Sequence, residues 1–407
     1  MAFPRHTDNV VTPLSSIKTA LYAALRRMPP HGHRRDSLFS LRFARGLRVI
    51  LGWMAFAVEP KSERARLSLA EIRSEAALKP ARDWMHILAK YREPDTARSI
   101  LEIAITAVPL IALWVLAWLS LSVSYFLTLA LIIPASGLLL RLFLIQHDCG
   151  HGSFFGVRAA NDWVGRVIGV LTLTPYDVWR HSHNVHHASS GNLDKRGIGD
   201  INTLTVAEYR ALSYWGRVKY RLYRHPAVMF GVGPAYVFML RNRLPAELTR
   251  SGLRDWVSAM GTNAAILVGS AIMMYFFGVV PFLVVHLPIV LIASSIGVWL
   301  FFVQHQFEDT VWDQDPNWSF HDAALYGSSH YDLPLVLRWF TANIGVHHVH
   351  HLYARIPYYR LGRVLRDHPE LANVKRLTLL ESFGHVNLTL WDEKRRQLIS
   401  FSQLARA

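Results

Sequence analysis

Apolar and polar positions along this chain fall into long blocks rather than a fine alternation. No Asp, Glu, Lys or Arg occurs from Ile103 to Leu140, and none from Trp256 to Phe307. Each stretch is long enough for two helical crossings of about 20 residues. The pattern predicts two helical hairpins. The first runs over about 101–121 and 125–146 and turns near Ser120, Ser122 and Ser124; the second runs over about 259–278 and 282–304 and turns near Gly278 and Pro281. Leu47 to Val58 is apolar but short and interrupted by Arg48, which predicts a helix lying along the headgroups. Val164 to Leu173 and Ala227 to Leu240, the latter broken by Gly231, Gly233 and Pro234, are expected to be interfacial or re-entrant. Residues 59–98 read as solvated helix. The expected organisation is a region 1–98, one integral membrane domain over 99–366, and a tail over 367–407.

Composition agrees with a bilayer setting: 51% of residues are hydrophobic, 18% are charged and mean hydropathy is +0.18. Charge then gives sidedness. Of the 44 Lys and Arg residues, 18 lie in 1–98, 14 in 147–255 and 11 in 308–407, leaving Arg141 alone within the hairpins. The hairpin tips carry none, so the positive-inside rule places all three long segments, and both termini, on the cytoplasmic side. A net charge of +15 spread over every membrane-flanking region suits anionic headgroups of the lipid bilayer; nucleic acid is not expected as a partner. The single cysteine, Cys149, excludes an intrachain disulfide and a CxxC zinc site.

The candidate chemistry is histidine. The pattern HxxHH occurs twice, at His183/His186/His187 and His347/His350/His351, and the pair His147 and His151 stands upstream. Residues three and four apart share a helical face, so each triad is expected to aim several imidazoles at a common point, as is the i, i+4 pair. Eight imidazoles are twice what a closed tetrahedral zinc site uses, so two metals fit better than one. Imidazole suits iron, and a pair of irons can reduce dioxygen to an oxidant that attacks an unactivated methylene, whereas zinc has no redox chemistry. The expected fold class is therefore all-α integral membrane, with four transmembrane helices in two hairpins and a cytoplasmic helical cap carrying a histidine-rich di-iron site.

The segments HDCGH at His147–His151, WRHSHNVHH at Trp179–His187 and NIGVHHVHHLYARIPYYRL at Asn343–Leu361 resemble the three histidine boxes of integral-membrane fatty acid desaturases. FVQHQFEDT around His305 and GSSHYDLP around His330 look like the bacterial and plastid-type acyl-lipid enzymes that act at the delta-12 or omega-6 position. The resemblance covers about 80–366. It implies two iron ions, O2 as co-substrate, a membrane lipid acyl chain as substrate, a cis double bond as product, and a bacterial inner membrane as location. It maps the eight box histidines onto metal ligands and adds His305 as a ninth, with His330 the rival. Members fused to a cytochrome b5 domain carry HPGG; His225 is followed by Pro226 and Ala227 instead, which implies a separate electron donor, a ferredoxin or a cytochrome b5-like protein. His181 and His348 are read as non-ligands, and Asp148 as a hydrogen-bond partner of a ligating imidazole. A membrane di-iron hydroxylase acting on a lipid, carotenoid or alkane is the alternative reading.

Overall fold

The computed structural model describes residues 79–245 and 251–406. Leu47 to Val58, expected along the headgroups, lies outside the described residues. Among those described, four helices are long and apolar enough to cross a membrane: Thr96–Ser120, Tyr125–His151, Leu253–Phe277 and Val279–His305. At 1.5 Å per residue they measure roughly 38–40 Å, more than the ~30 Å hydrocarbon core, so each extends a turn or two beyond it.

Both hairpins match the expectation, but the helix ends facing the cap run further than hydropathy indicates. The first helix starts at Thr96, where the Asp95 side chain accepts a hydrogen bond from the Arg98 N–H, and the second continues to His151. Backbone hydrogen bonding does not stop where lipid stops; caps decide the end. The second helix closes at Gly152, whose φ of +66° is left-handed and suits glycine. This extension carries His147 and His151 on a rigid helical end.

The second helix is the most enclosed of the four and packs against the first and the fourth. Glu102 and Arg141, which bracket the first uncharged run, meet inside the protein at 2.5 Å, both almost wholly buried. Glu102 also pairs with Arg98 at 2.6 Å and accepts from the Tyr358 hydroxyl at 3.1 Å, while Arg141 bonds the Trp339 carbonyl. A charge is costly at this depth unless it is paired, and here the pairing ties both spans of the first hairpin to the segments flanking the third histidine box.

The rest of the described chain forms a cap of short helices, including Arg158–Leu171, Tyr176–Ser189, His347–Leu352 and Tyr358–Asp367. The stretch 79–98 was expected to be solvated. It is helical over Ala81–Leu88, but Trp84, Leu88 and Tyr91, spaced i, i+4, i+7, are buried, with Trp84 edge-on to His368. Two small sheets complete the cap. In one, β1 (Leu204–Thr205) runs parallel to β4 (Leu390–Asp392), which pairs antiparallel with β5 (Gln397–Ile399); in the other, β2 (His330–Asp332) runs parallel to β3 (Arg376–Thr378). Strands of two or three residues are too short to show an alternating pattern.

Candidate metal centre

Nine histidines converge into two groups. His147, His151, His183, His187 and His350 form one; His186, His305, His347 and His351 form the other. Within each group one ring nitrogen per residue lies within 4.8 Å of all the others.

The triads do not each aim at one point, as the sequence suggested; each is divided between the groups. At 100° per residue, positions i and i+4 differ by about 40°, while i+3 and i+4 differ by about 100°. His183 and His187 therefore point together and His186 points away; His347 and His351 point together and His350 points away. Each group takes a pair from one triad and a single residue from the other. The pair His147/His151 completes the first group, and His305, from the last turn of the fourth helix, completes the second. His330 joins neither: its Nδ1 lies 2.6 Å from the Ala372 carbonyl.

The nitrogen spacings carry chemical meaning. His183 Nε2 lies 3.1 Å from both His151 Nε2 and His187 Nε2, and His187 Nε2 lies 3.2 Å from His350 Nε2. In the second group His305 Nε2 lies 3.2 Å from His186 Nε2 and 3.0 Å from His347 Nε2. Two nitrogens bound to one ion at ~2.1 Å and set 90–110° apart would be about 3.0–3.4 Å from each other, so these spacings fit the edges of coordination polyhedra. A neutral imidazole carries one N–H, and mutual N–H···N bonds cannot satisfy a nitrogen facing several others. His351 Nε2 is buried and hydrogen-bonded to nothing among the described residues. Burial is the main cause that holds His183, His187, His347, His350 and His351 well below the usual imidazole pKa, with neighbouring histidines adding to it. Their rings are neutral at physiological pH, with lone pairs available. This donor set fits two metal ions.

Two carboxylates orient the rings. Asp148 Oδ1 lies 3.3 Å from His147 Nδ1, and its Oδ2 accepts the Tyr358 N–H at 2.7 Å. Asp200, which the sequence reading missed, lies closer: its Oδ1 is 2.5 Å from His186 Nδ1. A glycine places it there. A Cβ on Gly199 (φ +73°) would meet the Ser182 carbonyl at 2.8 Å and His186 Cβ at 3.0 Å, so only glycine lets the loop pass this close. The signal in the sequence was faint: an Asp in a glycine-containing loop soon after the second box. His181 is half-exposed and 3.7 Å from Asp255, and His348 is buried with Nε2 3.0 Å from the Leu371 carbonyl. Neither is in a histidine group.

A cavity of about 330 Å3 opens on this centre. His147, His183 and His347 stand at its polar end, and its walls include Leu140, Phe143, Ala293, Gly297 and Phe301 from the second and fourth helices. Lining residues of the fourth helix recur from Val290 to Gln304 along one face, a run of roughly 21 Å by helix rise. The stretch expected to be interfacial or re-entrant supplies another wall, through a π-helical turn at Val228–Val232 and the helix Gly233–Met239. The space is largely apolar and ends at histidines.

A four-helix membrane fold with histidines in this arrangement defines a class, and the comparisons agree: the family model for fatty acid desaturase matches residues 122–379. The chain belongs to the fatty acid desaturase family, oxidoreductases that act on acyl lipids. It is 48% identical over 314 residues to a fatty acid desaturase of Bacillus subtilis (strain 168), covering 77% of this chain and 89% of that one. It is 29% identical to an sn-1 acyl-lipid omega-3 desaturase (ferredoxin) of Synechocystis, over 54% of this chain and 62% of the relative. With an sn-1 oleoyl-lipid 12-desaturase of Anabaena variabilis it shares 26% identity, over 54% and 62%.

Proposed function

We propose that each histidine group holds one iron ion, with His147, His151, His183, His187 and His350 on one and His186, His305, His347 and His351 on the other. When bound there, iron supplies the redox and oxygen chemistry that removes hydrogen from an unactivated methylene. The chain's own residues do the rest. Asp200 and Asp148 fix the ring orientation and tautomer of His186 and His147. The apolar walls take up a lipid acyl chain and exclude water from the reacting carbons. Overall, two adjacent methylenes lose two hydrogens, O2 accepts these with two electrons and two protons, and a cis double bond and two waters result. The electrons come from a separate one-electron carrier. The histidine face and both termini are cytoplasmic, in a bacterial inner membrane.

The observation that carries this reading is the opening of both histidine groups onto one apolar cavity between the second and fourth helices. For the position of the new bond we propose delta-12 (omega-6), supported by the motifs around His305 and His330 and by the 12-desaturase among the relatives. Expression in a host whose lipids lack polyunsaturated chains, followed by mass spectrometry of fatty acid derivatives, tests it. A diene with its new bond at carbon 12 is expected. A bond elsewhere would overturn the regiochemistry, and a hydroxylated chain would replace desaturation with the hydroxylase reading.

A further inference from the structure

We infer that a second, polar cleft, lined by Arg92, Glu93, Gly152, Phe155, Gly156 and Arg355, is the docking site of a small acidic one-electron carrier protein. The inference rests on the proposed reaction, which needs two electrons per double bond and therefore two dockings of such a carrier.

Position is the first argument. The cleft has a volume of about 190 Å3, and its wall includes Gly152, the residue directly after His151. His151 belongs to the five-histidine group, its Nε2 3.1 Å from that of His183. A carrier seated here is one residue along the chain from the proposed metal ligands. The lipid cavity reaches the centre through other residues, His147, His183 and His347, so carrier and acyl chain do not compete for the same space.

Charge is the second. Three segments build this face: Asp95 N–H donates to the Tyr359 hydroxyl at 2.9 Å, Ser99 Oγ donates to the Phe154 carbonyl at 2.6 Å, and Tyr91 donates to Asp367 at 2.7 Å. Over residues 90–98, 152–158 and 355–367 they carry eight basic side chains, Lys90, Arg92, Arg98, Arg158, Arg355, Arg360, Arg363 and Arg366, against the carboxylates Glu93, Asp95 and Asp367. Arg98 is engaged by Glu102, and Arg92, Arg158 and Arg363 pair with Glu93, Asp162 and Asp367, yet these three arginines stay more than half exposed and Arg355 is also exposed. A concave site whose surroundings carry a net excess of positive charge concentrates and orients a partner of the opposite sign. An acidic carrier fits it. An anionic bilayer fits less well, because Gly152 follows the end of a 27-residue helix that already outruns the hydrocarbon core.

The test uses the full chain in nanodiscs of neutral lipid and purified ferredoxin as the probe. Binding of oxidised ferredoxin should weaken about tenfold or more at low ionic strength in the Arg92→Glu/Arg355→Glu variant, and its salt dependence should flatten. Arg92→Lys/Arg355→Lys should bind nearly as the parent does, and Lys394→Glu, in the exposed turn between β4 and β5, should change nothing. In turnover the double reversal should raise the KM for ferredoxin while kcat at saturating ferredoxin stays put. A correctly folded double reversal with unchanged ferredoxin affinity overturns the docking site, as does equal weakening in the Lys394→Glu control or a variant that loses only its attachment to anionic vesicles. Absence of any oxidised lipid with the parent protein, while ferredoxin still binds, would strike at the proposed reaction instead.

Discussion

The two histidine groups are built from the same boxes yet stand in different surroundings. In the five-membered group His151, His183 and His187 are partly exposed, Asp148 stands 3.3 Å from its histidine, and Gly152, the residue after His151, lines the polar cleft. In the four-membered group every histidine is buried, and Asp200 holds His186 at 2.5 Å. One group has five histidines, three of them partly exposed; the other has four, all buried, and meets the cavity through His347. The difference teaches that two sites made from near-identical motifs need not be equivalent: one has a fifth ring and partial exposure, the other only four buried rings.

The largest effect should come from removing a histidine of the four-membered group. His186→Ala or His347→Ala leaves three nitrogens in a water-poor pocket, and iron should fall from about two to about one per chain with product below detection. His151→Ala leaves four nitrogens in the other group and should retain more iron. Mass-spectrometric iron counts on the purified variants check this, and equal losses at all three positions would remove the asymmetry. Asp200→Asn comes next. Losing a carboxylate partner of a metal-bound imidazole typically costs 10–100-fold in metal affinity, and chelator competition should show this for Asp200→Asn and a smaller change for Asp148→Asn.

A third prediction concerns pH in the metal-free protein. His183, His187, His347, His350 and His351 have folded-state pKa values held far below their unfolded value of about 6.5, so below that pH the unfolded chain binds protons the folded chain refuses. Stability is then present above about pH 6.5 and declines as pH falls, by up to ~1.4 kcal/mol per pH unit for each such group. Thermal unfolding between pH 7.5 and about 5 measures the slope; iron should raise stability across this range without flattening it, because the folded rings hold no protons for the metal to displace. The smallest effect is expected away from both groups. A Cβ at Gly297 meets Leu140 at an ordinary 3.6 Å, so Gly297→Leu should fold, keep its iron, and reduce turnover of long chains a few-fold by filling the cavity.

Much of this was legible in the sequence because two signals were strong. Uncharged runs of more than 35 residues read directly as hairpins, and histidines three and four apart read directly as shared helical faces. The division of each triad was not read, although helix geometry contains it: an i+3 and an i+4 partner lie about 100° apart and serve different centres when two are present. Asp200 could not be read, because its place depends on a glycine-permitted approach of a loop with no periodicity. The pairing of Glu102 with Arg141 was hidden for another reason. Each looks like the polar edge of a span, and only the packing of one helix on the next makes them partners. The cavity walls come from distant segments and have no linear pattern at all.

The central claim is that two irons sit apart in two unequal histidine cages. Anomalous scattering at the iron edge from crystals of the purified protein tests it most directly. The account requires two iron peaks, one enclosed by His147, His151, His183, His187 and His350 and the other by His186, His305, His347 and His351. A single peak shared by all nine rings, or two peaks that scatter at the zinc edge and not the iron edge, would contradict it.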